Sequence, residues 1–241
     1  MENHVSEAIK EVVREKTTRL NVRSIIYNLR TSGMPMKYIT TPDGRNVRGI
    51  PSSVVSDMLD ERYHGGTKGV KNVISSIFED VESLCRRSYI LIDGGSVDER
   101  KKVGCAILFR LIACNMTGLY ESCADLAHKL QTFKSTENMS RNEFSDSLKR
   151  LDSLFISEFR TDYFKEWAQS GEFLDAVLGY RSDHRMPTIV SFGKALSKAN
   201  EIHDNVCGEC MNLLVTKEFA SATDQSANPT EEYLRIRVKS L

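Results

Sequence analysis

The chain has 241 residues, 40% hydrophobic and 27% charged, the balance of an ordinary globular protein with room for a sizeable core. Formal net charge is zero, which excludes a global field drawing the chain to nucleic acid, and no apolar run approaches the roughly 18 residues that span a bilayer. The opening Met1-Glu2-Asn3-His4 lacks the apolar core of a signal peptide, so a cytoplasmic protein with no membrane partner is expected, its six cysteines reading as small buried hydrophobes.

Val5, Ala8, Ile9, Val12 and Val13 share one helical face, and a second helical segment is expected over Arg23–Leu29. Seven basic residues against Asp43 alone lie between Lys16 and Arg48, a patch suited to a phosphate backbone or an acidic protein face. Arg19, Arg23, Arg30 and Lys37 are its candidate DNA or partner contacts, a solvated surface being the equal alternative. Clustered turn formers at 31–35, 41–44 and 49–51 predict an irregular connector. A helix is expected over Lys68–Cys85, a buried strand at Tyr89–Ile92 and a covered helix over Val103–Cys114. A second strand (Leu119–Cys123) and a helix (Asp125 to about Phe133) follow, then a polar, loop-like stretch over Ser135–Glu143. Leu154–Ile156 reads as a third strand, Trp167–Tyr180 as a helix and Thr188–Phe192 as a fourth strand. Within the polar tail, Tyr233–Val238 alternates like an edge strand. Strands alternating with helices predict a parallel sheet covered on both faces.

Between the first strand and its helix stands Gly94-Gly95-Ser96-Val97-Asp98-Glu99-Arg100-Lys101-Lys102. A phosphate-binding loop has the pattern G-x-x-x-x-G-K-[ST], in which backbone N–H groups close around phosphate, lysine neutralises charge and the hydroxyl binds magnesium. Gly95 and Lys101 are in register with it, Arg100 replaces the second glycine and Lys102 the hydroxyl residue. A side chain is disfavoured where the loop needs close backbone approach, and Lys102 repels a cation. Gly94, Gly95, Ser96, Lys101 and Lys102 are therefore the candidate residues of a degenerate nucleotide site.

Tyr89–Ser96, then Ala106-Ile107-Leu108-Phe109-Arg110-Leu111, then Gly118–Leu126 with its Ala124-Asp125-Leu126 step, resembles the phosphate loop, first helix and second strand of the DnaC/DnaI/IstB-type AAA+ helicase loaders. Leu154–Phe159 resembles their Walker B strand, and Arg181 with Met186–Ser191 their arginine and Pro-Thr-Ile strand; Ser32–Tyr38 resembles the stretch that precedes their ATPase module. The resemblance implies a three-layer α/β P-loop domain over 33–220, an N-terminal helical extension over 1–32 and a C-terminal tail over 221–241. It implies ATP or ADP with magnesium as cofactor, and Glu158 as the acid that orients attacking water. Ser157 stands at the Walker B aspartate position and Gly193 at the sensor position, so a pseudo-ATPase is expected over an active ATPase. The partners implied are a replicative DNA helicase or a host helicase loader, with single-stranded DNA a further one, and a phage-encoded member fits the loss of catalytic groups. Two rival readings stay open: an unorthodox ATPase that loads helicase or regulates transposition, and a DNA-binding accessory protein without a helicase partner. His203, Cys207 and Cys210 share one helical face, but no second Cys-x-x-Cys accompanies them, so no metal site is expected.

Overall fold

The computed structural model describes residues 23–35, 84–85, 87–132, 140–160, 163, 168–192 and 233–238. The expected helix at Val5–Val13, the connector beyond Pro35, most of the Lys68–Cys85 helix, Arg19, Lys37, Gly193 and the His203/Cys207/Cys210 trio lie outside them. Ten elements follow in chain order: α1 (residues 23–31), β1 (Tyr89–Gly94), α2 (Val97–Ala113), β2 (Gly118–Ser122), α3 (Cys123–Thr132), α4 (Arg141–Arg150), β3 (Ser153–Phe159), α5 (Ala168–Asp183), β4 (Thr188–Phe192) and β5 (Tyr233–Val238).

The five strands make one sheet in the order β2-β3-β4-β1-β5, with every neighbouring pair parallel. Each strand contributes side chains alternately to the two faces. Ile90, Ile92, Phe155, Ile189 and Ile236 face a core closed by α2 through Val103, Ile107, Leu108 and Leu111. Leu91, Leu154, Ile156 and Val190 face the opposite core, closed by Leu126 and Leu130 of α3, Leu148 of α4, and Leu174 and Val177 of α5. Full burial of each such side chain contributes about 1.5–3 kcal/mol, which is why the central strands read as continuous apolar runs. The result is the expected three-layer α/β domain.

Two helix starts differ from expectation. Helix α2 begins at Val97, six residues before the expected Val103, because Ser96 and Glu99 form a capping box. A second box, Ser140 with Glu143, starts helix α4 inside a stretch expected to continue as loop; it buries Phe144 and Leu148 one turn apart. Strand β5 is the edge strand expected at Tyr233–Val238, and it lies beside β1 with Ile236 and Val238 buried. Leu29 and Met34 lie on either side of the expected 32/33 boundary and are buried in one and the same core.

Helix α1 covers the other edge of the sheet. The Tyr120 N–H of β2 donates to the Ser32 carbonyl at 2.7 Å, and Asn28 Nδ2 donates to the Met116 carbonyl at 3.2 Å. These bonds satisfy edge groups that would otherwise be open to pairing.

Candidate functional site at the carboxyl ends of the strands

In open α/β sheets, ligands bind beyond the carboxyl ends of the strands, where the connections diverge to either side. Here that point is the end of β1, flanked by β4 and β5. The turn out of β1 is short. Gly94 has φ of +76° and Gly95 of +53°, and a Cβ on Gly94 would fall 2.4 Å from the Val238 carbonyl oxygen, so only glycine fits. Ser96 is already the helix cap.

Residues 97–102, expected to wrap a phosphate as loop, are thus the first turns of α2. The exposed N–H groups at a helix start form an anion site, strengthened by the helix dipole. In this chain they meet the protein's own acids. Glu99 Oε2 accepts the Ser96 N–H at 2.6 Å, Ser96 Oγ accepts the Glu99 N–H at 3.3 Å, and Asp98 adds negative charge to the same turn. Lys102 turns away to pair with Asp98 at 3.1 Å, and Lys101 lies half-buried beside it.

Arg100 is only 3% exposed and stands between the strand ends. Its Nε and Nη2 grip the Glu158 carboxylate side-on, at 3.0 Å to Oε1 and 2.7 Å to Oε2. Its Nη1 donates to the Gly94 and Gly95 carbonyls, each at 2.8 Å. The rigid guanidinium fork suits this geometry, which lysine could not reproduce. Ser191 of β4 completes the cluster: its Oγ donates to Glu158 Oε1 at 3.3 Å and accepts the Glu158 N–H at 2.9 Å. The register between β3 and β4 shifts between Ile156 and Phe159, and Glu158 takes a left-handed φ of +55° there. A bulge of this kind re-aims a side chain, and here it aims Glu158 at Arg100.

Ser157 is fully buried, and its hydroxyl donates to Tyr120 Oη at 3.0 Å. Burial raises the Tyr120 pKa, and the Ser157 hydrogen bond partly offsets this. Of the site residues expected from sequence, the fold therefore gathers Gly94, Gly95, Ser96 and Glu158, while Lys102 points elsewhere. Arg23 and Arg30 lie far along the chain, exposed on α1. Sequence reasoning noticed Arg100 as a lost glycine but missed it as the hub, and it missed Ser191. Nothing local links Arg100 to a carboxylate 58 positions away.

The fold has known counterparts. A structure of AMPPCP-bound DnaA from Aquifex aeolicus matches with a TM-score of 0.50 at 14% identity, covering 74% of this chain and 51% of that one. The two share an α/β fold built on a parallel sheet. A DnaI structure matches at 0.47 and 13% identity (78% of this chain, 94% of that one), and the DnaC helicase loader at 0.45 and 14% (76% and 98%). The chain spans about half the length of the DnaA structures it matches. No protein-family model and no curated protein matches the sequence.

Proposed function

We propose that this chain is a helicase-loader-like replication protein that works by binding a replicative helicase or its loader, without efficient ATP turnover. The observation that carries the absence of turnover is the Arg100 guanidinium, tied at once to Glu158 and to the Gly94 and Gly95 carbonyls. Phosphoryl transfer to water needs a lysine, a magnesium ion and an acid that positions the water, all acting together. Both oxygens of the one candidate acid, Glu158, already accept from Arg100. Ser157, at the position expected to steady magnesium, gives its hydroxyl to Tyr120, and Lys102 stands where a hydroxyl would ligate the ion. The helix start that would receive phosphate is capped by Glu99. These residues do not fit a magnesium–ATP group, and no chemical step is assigned through one. The replication role rests on the ordered sequence resemblance to loaders, with which the parallel α/β fold is consistent.

The decisive experiment is affinity purification of the tagged chain from its native host, with identification of what co-purifies and a parallel ATPase assay. The expected result is recovery of a replicative helicase or its loader, unchanged by added ATP and by Lys101→Ala. Recovery of neither protein would sink the loader-like reading. Magnesium-dependent turnover abolished by Glu158→Gln would sink the pseudo-enzyme reading.

A further inference from the structure

Two soft sulfur atoms meet at the amino ends of the strands, the opposite end of the sheet from the Arg100 cluster. Cys85 stands just before β1 and Met116 just before β2, and their Sγ and Sδ atoms lie 3.6 Å apart. Both residues are half-buried at the margin of the core that α2 closes. The backbone at Met116 is fixed on either side of its side chain. Its N–H donates to the Leu111 carbonyl at 3.4 Å, its carbonyl accepts Asn28 Nδ2 of α1 at 3.2 Å, and Asn115 before it holds a left-handed φ of +68°. The thioether is therefore positioned before anything binds to it.

We propose that Cys85 and Met116 form a binding site for a soft monovalent cation, copper(I). The donor set chooses the ion. Among the described residues no group of three or more His, Cys, Asp or Glu is placed to hold a metal, so the pair has no harder ligands of the kind that zinc or calcium sites are built from. A thiolate beside a thioether selects copper(I). The spacing then sets the coordination. A linear ion would hold its two sulfurs about 4.6 Å apart, twice the usual metal–sulfur length of about 2.3 Å. At 3.6 Å the two sulfurs subtend about 100° at the ion, which leaves a third position for water or a small thiol. Solvent reaches that position because neither residue is fully buried. Binding breaks the Cys85 S–H bond, forms a copper–sulfur bond and releases the proton to water, with no change of oxidation state. Without the ion, the same thiol donates weakly to the Met116 sulfur. This proposal is independent of the Arg100 cluster and of any helicase partner.

The test is native mass spectrometry of the reduced full chain, with free copper(I) held at set concentrations by bicinchoninate. The chain has six cysteines, Cys207 and Cys210 in a Cys-x-x-Cys among them, so the measured quantity is the difference between variants and not the total loading. Met116→Leu conserves side-chain volume and keeps every thiol. It is expected to carry about one copper(I) fewer than wild type at the same free concentration, and Cys85→Ser the same. Zinc(II) loading of Met116→Leu should equal that of wild type, because zinc takes thiolate, imidazole and carboxylate but not thioether. Equal copper(I) loading of wild type and either variant overturns the proposal, for binding would then not need both sulfurs. Parallel loss of zinc(II) from Met116→Leu overturns it too, since the change would be acting through the fold. Circular dichroism checks that the variants compared are folded.

Discussion

Arg100 and Glu158 stand 58 positions apart in the chain and meet side-on, Nε to Oε1 at 3.0 Å and Nη2 to Oε2 at 2.7 Å, in a site where the arginine side chain is 4% exposed and the glutamate 18%. Removing one member of a buried ion pair leaves the other charge uncompensated, at a cost of about 3–5 kcal/mol. Because Glu158 retains some access to water, Arg100→Ala is expected near the lower end, about 3 kcal/mol, or a Tm drop of roughly 6–12 °C for a chain of this size. Arg100→Ala with Glu158→Ala should cost less than the sum of the single changes, with a coupling of about 1–3 kcal/mol in a double-mutant cycle. Additive losses in urea denaturation would show that the pair is not coupled.

Glu158 also holds a left-handed backbone, at φ +55°. That conformation costs a non-glycine residue on the order of 1 kcal/mol and persists because Arg100 and Ser191 hold the side chain from two directions. The effect of Glu158→Gly should therefore reverse with context. In the wild-type chain it destabilises by stranding Arg100. In an Arg100→Ala background it stabilises by about 1 kcal/mol, since strain and a stranded carboxylate leave together. Urea midpoints of the four proteins read this directly, and loss of stability in both backgrounds would contradict it.

Much of the sheet was legible because β1, β3 and β4 are buried on both faces and so spell continuous apolar runs. Strand β5 announced itself by alternation, but no local pattern showed that it joins β1 rather than ending a tail. Helix α4 was missed because only Phe144 and Leu148 face the core while polar residues fill the remainder; the Ser140-x-x-Glu143 box was its readable sign. The same sign at Ser96-x-x-Glu99 was overridden by the phosphate-loop template. The Arg100–Glu158–Ser191 cluster was illegible for a different reason: it exists only once β1, β3 and β4 lie side by side.

Gly104 lies where α2 crosses β3, and a Cβ there would come within 2.2 Å of the Phe155 ring. Alanine is the better helix former by about 1 kcal/mol, so propensity alone predicts stabilisation. Packing decides otherwise, because the obstacle is a fully buried ring. Gly104→Ala is expected to destabilise by about 1–3 kcal/mol, and Phe155→Leu in the same chain should recover part of it. Thermal melts of the wild type and these two variants test both signs.

Glu143 accepts the Ser140 N–H at 2.6 Å, and this backbone bond, with the Ser140 hydroxyl second, holds its carboxyl below the usual 4.5. A depressed carboxylate pKa stabilises the fold above the unfolded value, and the contribution fades as pH falls through the folded one. The window therefore lies below about pH 4.5. Glu143→Gln keeps an acceptor at the same position and removes the titration. Its stability relative to wild type should rise as pH drops from 5 toward 3, read by denaturant midpoints across that range, whereas a constant difference would show that the box does not titrate.

Arg181 is fully buried, no carboxylate among the described residues lies within bonding distance of it, and its guanidinium satisfies carbonyls. Nη1 donates to Leu148 at 2.9 Å and Leu151 at 2.7 Å, Nη2 to Pro187 at 2.8 Å, and Nε to Thr188 Oγ1 at 3.0 Å, which staples the turn before β3 to the turn before β4. Burial lowers its pKa to about 10. Above that value and below the ordinary arginine one the folded chain binds fewer protons than the unfolded one, so stability rises with pH only there, and below pH 10 the desolvation cost is constant. Arg181→Met is expected to cost about 2–4 kcal/mol, because three backbone carbonyls lose a charged donor while no charge remains to offset them. Its deficit relative to wild type should be the same from pH 6 to 9 in urea unfolding. A deficit that grows as pH rises across that range would place the titration of Arg181 near neutrality and remove the staple as its explanation.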